Sequence, residues 1–261
     1  MGKAIAILSG KGGVGKTTIT ANLGVSLAKD YNKKTLVIDA NTTSSGLGFH
    51  LGQHNFGVTL QDVLKKRMDL EMAVYSHPSK LFVIPSSIGI KDIDAEPEGI
   101  KEIVKAMKPY MDIIILDGAP TLGIETRTVI DSADEIIIVT NLDTPSIMEA
   151  GRMEKYLKSK KKKIKGIVIN MVKKYDKEIV TKISKTLTSP IIGAVSNDSY
   201  VQESIELGVP LIHLYPHSNA SLDIKELISN IIGEEFPKKY SLFSRLFFLM
   251  RSFAGKVHNY F

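Results

Sequence analysis

The sequence predicts an α/β protein: a doubly wound, mainly parallel sheet of seven to eight strands with helices on both faces, plus a C-terminal amphipathic helix. Three observations carry that expectation. Short β-branched runs alternate with helical patterns along most of the 261 residues, an arrangement that yields parallel strands joined by crossovers. Most of those runs are nearly continuous in apolar residues, as strands covered on both faces must be. A glycine-rich stretch, "SGKGGVGKTT", stands between the first strand and the first helix.

The elements follow in order. "KAIAILS" (3–9) is the first strand, and a helical pattern at 16–29 follows the glycine-rich stretch. "KTLVIDA" (34–40) is the second strand, and 59–66 reads as a helix with Thr59 as N-cap. "LFVIPSS" (81–87) is a strand, and 97–108 a helix with proline near its start. "DIIILDG" (112–118) and "DEIIIVTN" (134–141) are strands. The helix at 145–160 places Pro145 in the first turn behind Thr144. "IKGIVINMV" (164–172), a helix at 176–187, "PIIGAV" (190–195), an eighth strand "PLIHLY" (210–215) and a helix at 222–232 complete the set. There is no internal repeat or long linker. The one boundary, "GEEFPKK" near 233–239, divides a domain of residues 1–233 from a tail of 234–261.

At 43% hydrophobic and 24% charged residues the composition is that of a globular chain. The absence of cysteine excludes disulfides, thiolate metal sites, iron–sulfur ligation and cysteine nucleophiles. No charged segment precedes a long apolar run at the N-terminus, and no run of about 18 apolar residues occurs, so neither a secretory signal nor a membrane span is expected. The net charge is +6. It concentrates in the tail (Lys238, Lys239, Arg245, Arg251 and Lys256 against Glu234 and Glu235) and in "KSKKKKIK" (158–165). The latter reads as a solvated helix end, with lipid or DNA as the alternative.

The stretch "GKGGVGKT" fits G-x-x-x-x-G-K-[ST], with Gly10, Gly15, Lys16 and Thr17 in the defining places, in the strand–loop–helix context that gives the motif its meaning. Glycines let backbone N–H groups approach phosphate oxygens, and the helix N-terminus adds partial positive charge. Lys16 supplies a point charge for the β- and γ-phosphates, and Thr17 a hydroxyl for Mg²⁺. The binding loop is thus Gly10, Lys11, Gly12, Gly13, Val14, Gly15, Lys16, Thr17 and Thr18.

The form "KGGVGKT", with its early lysine, resembles the deviant Walker A loop of the MinD/ParA family of P-loop ATPases, nearest to its MinD branch. The resemblance covers about residues 3–232. It implies ATP and Mg²⁺ as ligands and a dimer formed on ATP, in which Lys11 reaches the partner's nucleotide while Lys16 serves its own. A triphosphate enclosed between two subunits needs such extra compensation. By the same resemblance Asp39 is the acid that begins the first switch loop, and Asp117 in "IIILD" is the aspartate that holds Mg²⁺ through water. "DGAP" (117–120) is the second switch loop. Asn170, closing "GIVIN", matches the position of an adenine-contacting amide. Ser196, Asn197 and Asp198 stand where the family often has a proline-centred adenine wall. Glu149 matches an acid used in dimer-dependent partner regulation, with an exposed helix carboxylate as the plainer reading.

One position departs from the family. Where the first switch commonly reads D-x-D, "IDANTTSS" puts Asn41 in the second place. An amide cannot take a proton, but it can orient water. The expectation is a slow ATPase; a nucleotide-dependent scaffold that scarcely hydrolyses, or Asn41 as a simple turn former, are the alternatives.

In the tail, Leu242, Phe243, Leu246, Phe247, Leu249, Met250, Phe253 and Val257 share one broad face at helical spacing, with serines, arginines and Lys256 opposite or at the edges. Residues 242–253 would span about 18 Å as a helix, well short of the roughly 30 Å of a bilayer core. Such a helix suits an interface with anionic headgroups, and it resembles the family's membrane-targeting helix; docking on the core or on another subunit is the alternative. The expectation is therefore a cytoplasmic ATPase, peripherally attached to the cytoplasmic face of the membrane, that positions a cellular complex through an unidentified regulator or cargo. A DNA-segregation ATPase is the rival.

Overall fold

The computed structural model describes residues 2–43, 45–87, 97–173, 183 and 186–235. Eight strands form one sheet: β1 (Lys3–Ser9), β2 (Thr35–Ala40), β3 (Tyr75–Ser76), β4 (Phe82–Ile84), β5 (Ile113–Pro120), β6 (Glu135–Thr140), β7 (Ile164–Val172) and β8 (Ile191–Ser196). Their spatial order is β3-β4-β2-β5-β1-β6-β7-β8. Every pairing is parallel except that of the two-residue edge strand β3 with β4.

Period-two alternation along the strands splits the core in two. Ala4, Ala6 and Leu8 of β1 face one layer and Ile5 and Ile7 the other. The first layer is covered by α4 (Ile100–Met107), α5 (Ile124–Ser132) and α6 (Thr144–Ser159). The second is covered by α1 (Lys16–Lys29), α2 (Leu47–His50), α8 (Leu211–Leu214) and α9 (Asn219–Ile232). The short helices α3 (Leu60–Leu64) and α7 (Tyr200–Glu206) complete the set among the described residues.

Helix α1 spans the residues the sequence predicts. Helix α3 starts behind Thr59, whose backbone N–H donates to Asp62 at 2.9 Å. Helix α6 begins at Thr144, and its cap is Asp143, whose carboxylate accepts the Ser146 N–H at 3.0 Å. Most of the expected helix at 176–187 lies outside the described residues.

"PLIHLY" is not a strand. Pro210 and Leu211 carbonyls accept from His213 and Tyr215, and residues 211–214 close into α8. Its first turn is pinned from outside, because Asn22 Oδ1 accepts the Ile212 N–H at 2.9 Å. A six-residue apolar run buried against a helix has no period that distinguishes it from a strand. The eighth strand is instead β3. Helices α2, α5 and α7 were not expected from the sequence.

Gly233, with φ 71°, ends α9 in the left-handed conformation usual after a helix. No described helix is long and apolar enough to cross a membrane. The predicted apolar tail face, from Leu242 to Phe253, lies outside the described residues.

Candidate functional site

The glycine-rich loop sits at the C-terminal end of β1, between the ends of β5 and β6 and with β2 beyond β5, where an open α/β sheet presents its ligand site. Gly10 is required by packing: a Cβ there would come within 2.5 Å of the Glu149 carbonyl on α6. Gly15, with φ 88°, turns the chain into α1, and a Cβ would meet Asn170 Nδ2 at 2.1 Å. Together with Gly13, at φ 76°, it shapes a backbone concavity suited to an anion.

Lys16 points back along the loop. Its ammonium donates to Ser9 Oγ at 2.9 Å, and Ser9 Oγ donates to the Lys11 carbonyl at 2.7 Å. The lysine is only 7% exposed, so burial holds its pKa below the ordinary value against the pull of Asp117. Thr17 Oγ1 donates to Asp117 Oδ2 at 2.7 Å, and Thr20 Oγ1 to Oδ1 at 3.1 Å.

Asp39 and Asp117 pair in register across β2 and β5, and both are buried. Burial, and then the charge of Asp117, pushes Asp39 up to about 7, although Ser45, Leu47 and Asn41 donate to it. Burial likewise raises Asp117. Two buried carboxylates facing each other are a poor arrangement alone and a good one beside a hard cation. Among the described residues no group of three or more acids, histidines or cysteines converges as a metal cage. The hydroxyl of Thr17 and the carboxylates of Asp39 and Asp117 are the hard oxygen donors that would suit a magnesium ion.

The loop that follows β2 is held by several bonds. Ser45 Oγ donates to Asp39 Oδ2 at 2.8 Å, and the Asn41 N–H donates to Asp39 Oδ1 at 3.3 Å. Thr43 Oγ1 lies 3.3 Å from Asn41 Oδ1. Thr18 Oγ1 is 3.1 Å from His50 Nε2, so it faces α2 rather than the loop's concavity.

Lys11 lies outside this cluster. Its Nζ is 3.3 Å from Asp143 Oδ1, with both side chains nearly half exposed. Asn170 Nδ2 donates to the Val14 carbonyl at 2.8 Å, so its amide braces the loop from β7. Ser196 donates through its N–H and its hydroxyl to Asp223 Oδ2, at 2.8 and 2.6 Å. Asn197 N–H donates to the Val172 carbonyl at 3.0 Å. Asp198 accepts from the N–H groups of Tyr200 and Ala220. Those three residues thus turn bonds inward to β7, α7 and α9. Glu149 pairs with Arg152 at 2.7 Å on the outer side of α6.

Sequence reasoning missed Ser9, Thr20, Ser45, Asp143 and Glu125. Only Asp143 had a local signal, an aspartate two residues before Pro145 at a helix start. The others declare themselves through partners distant in sequence.

Fold and site together define a P-loop nucleotide-binding protein. A family model described as an AAA domain matches residues 2–171. An uncharacterised ATP-binding protein of Methanocaldococcus jannaschii is 37% identical over 238 residues, covering 90% of each chain. The septum site-determining protein MinD of Thermotoga maritima is 33% identical over 249 residues, covering 91% of this chain and 90% of its own. The structure of MinD from Pyrococcus horikoshii complexed with Mg-ADP superposes with a TM-score of 0.83 at 27% identity, covering 88% of this chain and 96% of that one. This chain belongs to the MinD/ParA family of ATPases.

Proposed function

We propose that the chain is a MinD-like switch: it binds Mg-ATP in the loop 10–18, closes face to face with a second copy, and attaches peripherally to the cytoplasmic face of an anionic membrane through residues 242–253. There it positions a cellular complex, a division site or another polar assembly. The observation that carries this reading is the division of labour between two lysines. Lys16 is buried in the loop, whereas the Lys11 side chain stands outside it, in an exposed ion pair with Asp143. Such a pair contributes at most about 1 kcal/mol and is easily exchanged for a triphosphate.

In this reading Lys16 and the loop N–H groups bind the β- and γ-phosphates, and Thr17, Asp39 and Asp117 hold the magnesium. Lys11 compensates the partner's triphosphate. Bound magnesium would neutralise phosphate charge. Asn41 orients water without accepting its proton, which makes hydrolysis slow and dimer lifetime long. One tail binds weakly, and two on one dimer gain by effective concentration, about 10²–10⁴-fold.

The DNA-segregation reading has less support. In "KSKKKKIK", Lys158 pairs with Glu154, Lys162 with Asp131, and Lys163 and Lys165 with Glu135, which leaves less unopposed charge for a phosphate backbone.

The test is molecular size and co-sedimentation with anionic liposomes under ATP and ADP. Wild type should dimerise and sediment with ATP only. Lys11→Ala should stay monomeric, and a chain lacking residues 239–261 should dimerise without sedimenting. Equal sedimentation with ADP and ATP would refute the coupling, and ATP-dependent, salt-sensitive retention on DNA would favour the rival.

A further inference from the structure

Glu125 lies in the first turn of α5, just after the short segment that follows β5, the strand carrying Asp117. Its carboxylate faces the other switch loop. Oε1 accepts from the Thr42 hydroxyl, and Oε2 lies 3.5 Å from the Thr43 hydroxyl. Thr43 carries one hydroxyl proton and has two acceptors in reach, Glu125 and the amide oxygen of Asn41 at 3.3 Å. The carboxylate that this loop lacks at position 41 therefore reaches it from the opposite side.

The loop is also fixed from beneath. Thr42 is buried, and its carbonyl accepts from Gln61 Nε2 at 3.3 Å. Gln61, fully buried on α3, also donates to Ser86 Oγ at 2.6 Å and accepts the Ser87 N–H at 2.8 Å. Ser45, which donates to Asp39, lies 3.1 Å from the Ser86 carbonyl. The backbone of residue 42 is thus anchored to the end of β4, while its side chain is anchored to α5. Thr42 is where the two loops meet.

We propose that Glu125 is a positioning residue of the hydrolysis cycle. By accepting from Thr42 and Thr43 it makes the loop after β2, which carries Asn41, move together with the segment between β5 and α5, and its competition for the Thr43 proton sets how Asn41's amide oxygen is oriented. The proposal rests on the ATPase reading above and adds to it a residue through which the state of one loop is imposed on the other.

The experiment compares full-length wild type with Glu125→Ala, Glu125→Gln and Thr42→Val, using a non-hydrolysable ATP analogue. The readouts are hydrogen–deuterium exchange of peptides covering 39–47 and 118–126, and kcat and KM for ATP. Loss of a hydrogen bond to a charged group predicts faster exchange in both peptides and a kcat change of about tenfold. KM should move less than threefold. Thr42→Val should reproduce the exchange effect, and the double variant Thr42→Val with Glu125→Ala should add little to either single change. Glu125→Gln, nearly isosteric, serves if the alanine variant does not fold, and should show a smaller effect of the same kind. Faster exchange confined to 118–126, or additive effects of the two substitutions, would overturn the clamp. If wild type fails to dimerise with ATP while exchange in the two peptides remains linked, the switch reading falls and the clamp stands. If wild type dimerises and the Glu125 variants match it in exchange and kcat, the clamp falls and the switch reading stands.

Discussion

Asn41 is the residue on which the expected rate depends. It stands in a loop whose hydroxyls and amides are already committed: its N–H goes to Asp39, and its Oδ1 faces Thr43. Asn41→Asp would put a proton acceptor there, and positioned general bases contribute about 10²–10⁴-fold in favourable cases. The neighbouring carboxylate of Asp39 makes the expected gain smaller, about tenfold in kcat by phosphate release. Wild-type turnover equal to that of the variant would show that the amide does not limit the rate. At the same scale Gly10 and Gly15 are irreplaceable for different reasons. The first has α6 against it, and the second combines a positive φ with the Asn170 amide in the space of its missing side chain.

Among elements, α6 and the segment before β8 are joined by one carboxylate. Glu154 accepts from the N–H and hydroxyl groups of Thr188 and Ser189 and pairs with Lys158 at 2.8 Å. Burial works against its charge, but Lys158, Ser189 and Thr188 prevail and bring its pKa from 4.5 down to about 2. Because the folded value lies below the unfolded one, this stabilisation is complete above about pH 4.5 and is lost as pH falls toward about 2. The shift corresponds to about 3 kcal/mol. Glu154→Gln should therefore lower urea stability near neutrality by about 2–3 kcal/mol and flatten the acid limb between those two pH values. An unchanged acid limb would show that Glu154 does not titrate differently in the folded and unfolded chain. Elements also differ in how plainly the sequence declares them. Seven strands were legible because each is an apolar run between turn signals, whereas the two-residue β3, "YS", carries no such run; α1 was legible because a glycine-rich loop announces its start. Helix α5, "IETRTVIDS", was not, since two threonines, a valine and two isoleucines leave only a weak helical face. The phosphate loop was readable as one contiguous motif. Thr42 with Glu125, Ser45 with Asp39 and Lys11 with Asp143 were not, because those partners are brought together by the order of the strands.

For the whole molecule, the parallel sheet places every candidate phosphate and metal group at one end, and the charged clusters of Glu135 with Lys3, Lys163 and Lys165 at the other. The fold is closed by α9, whose Ile224, Leu227, Ile228 and Ile231 are buried before Gly233 ends the helix. A chain lacking residues 239–261 should consequently melt within about 2 °C of the full chain, because every core residue among the described residues precedes Gly233 and substitutions away from the core cost about 0.5 kcal/mol or less. A larger fall would mean that the tail packs on the domain. The contact between Gly10 and α6 has a mechanical consequence. With the helix backbone against the first glycine of the loop, the two have no slack between them. A load applied to the outer side of α6, where Arg152 and Met148 face solvent, is transmitted to the nucleotide cradle as through a rigid strut.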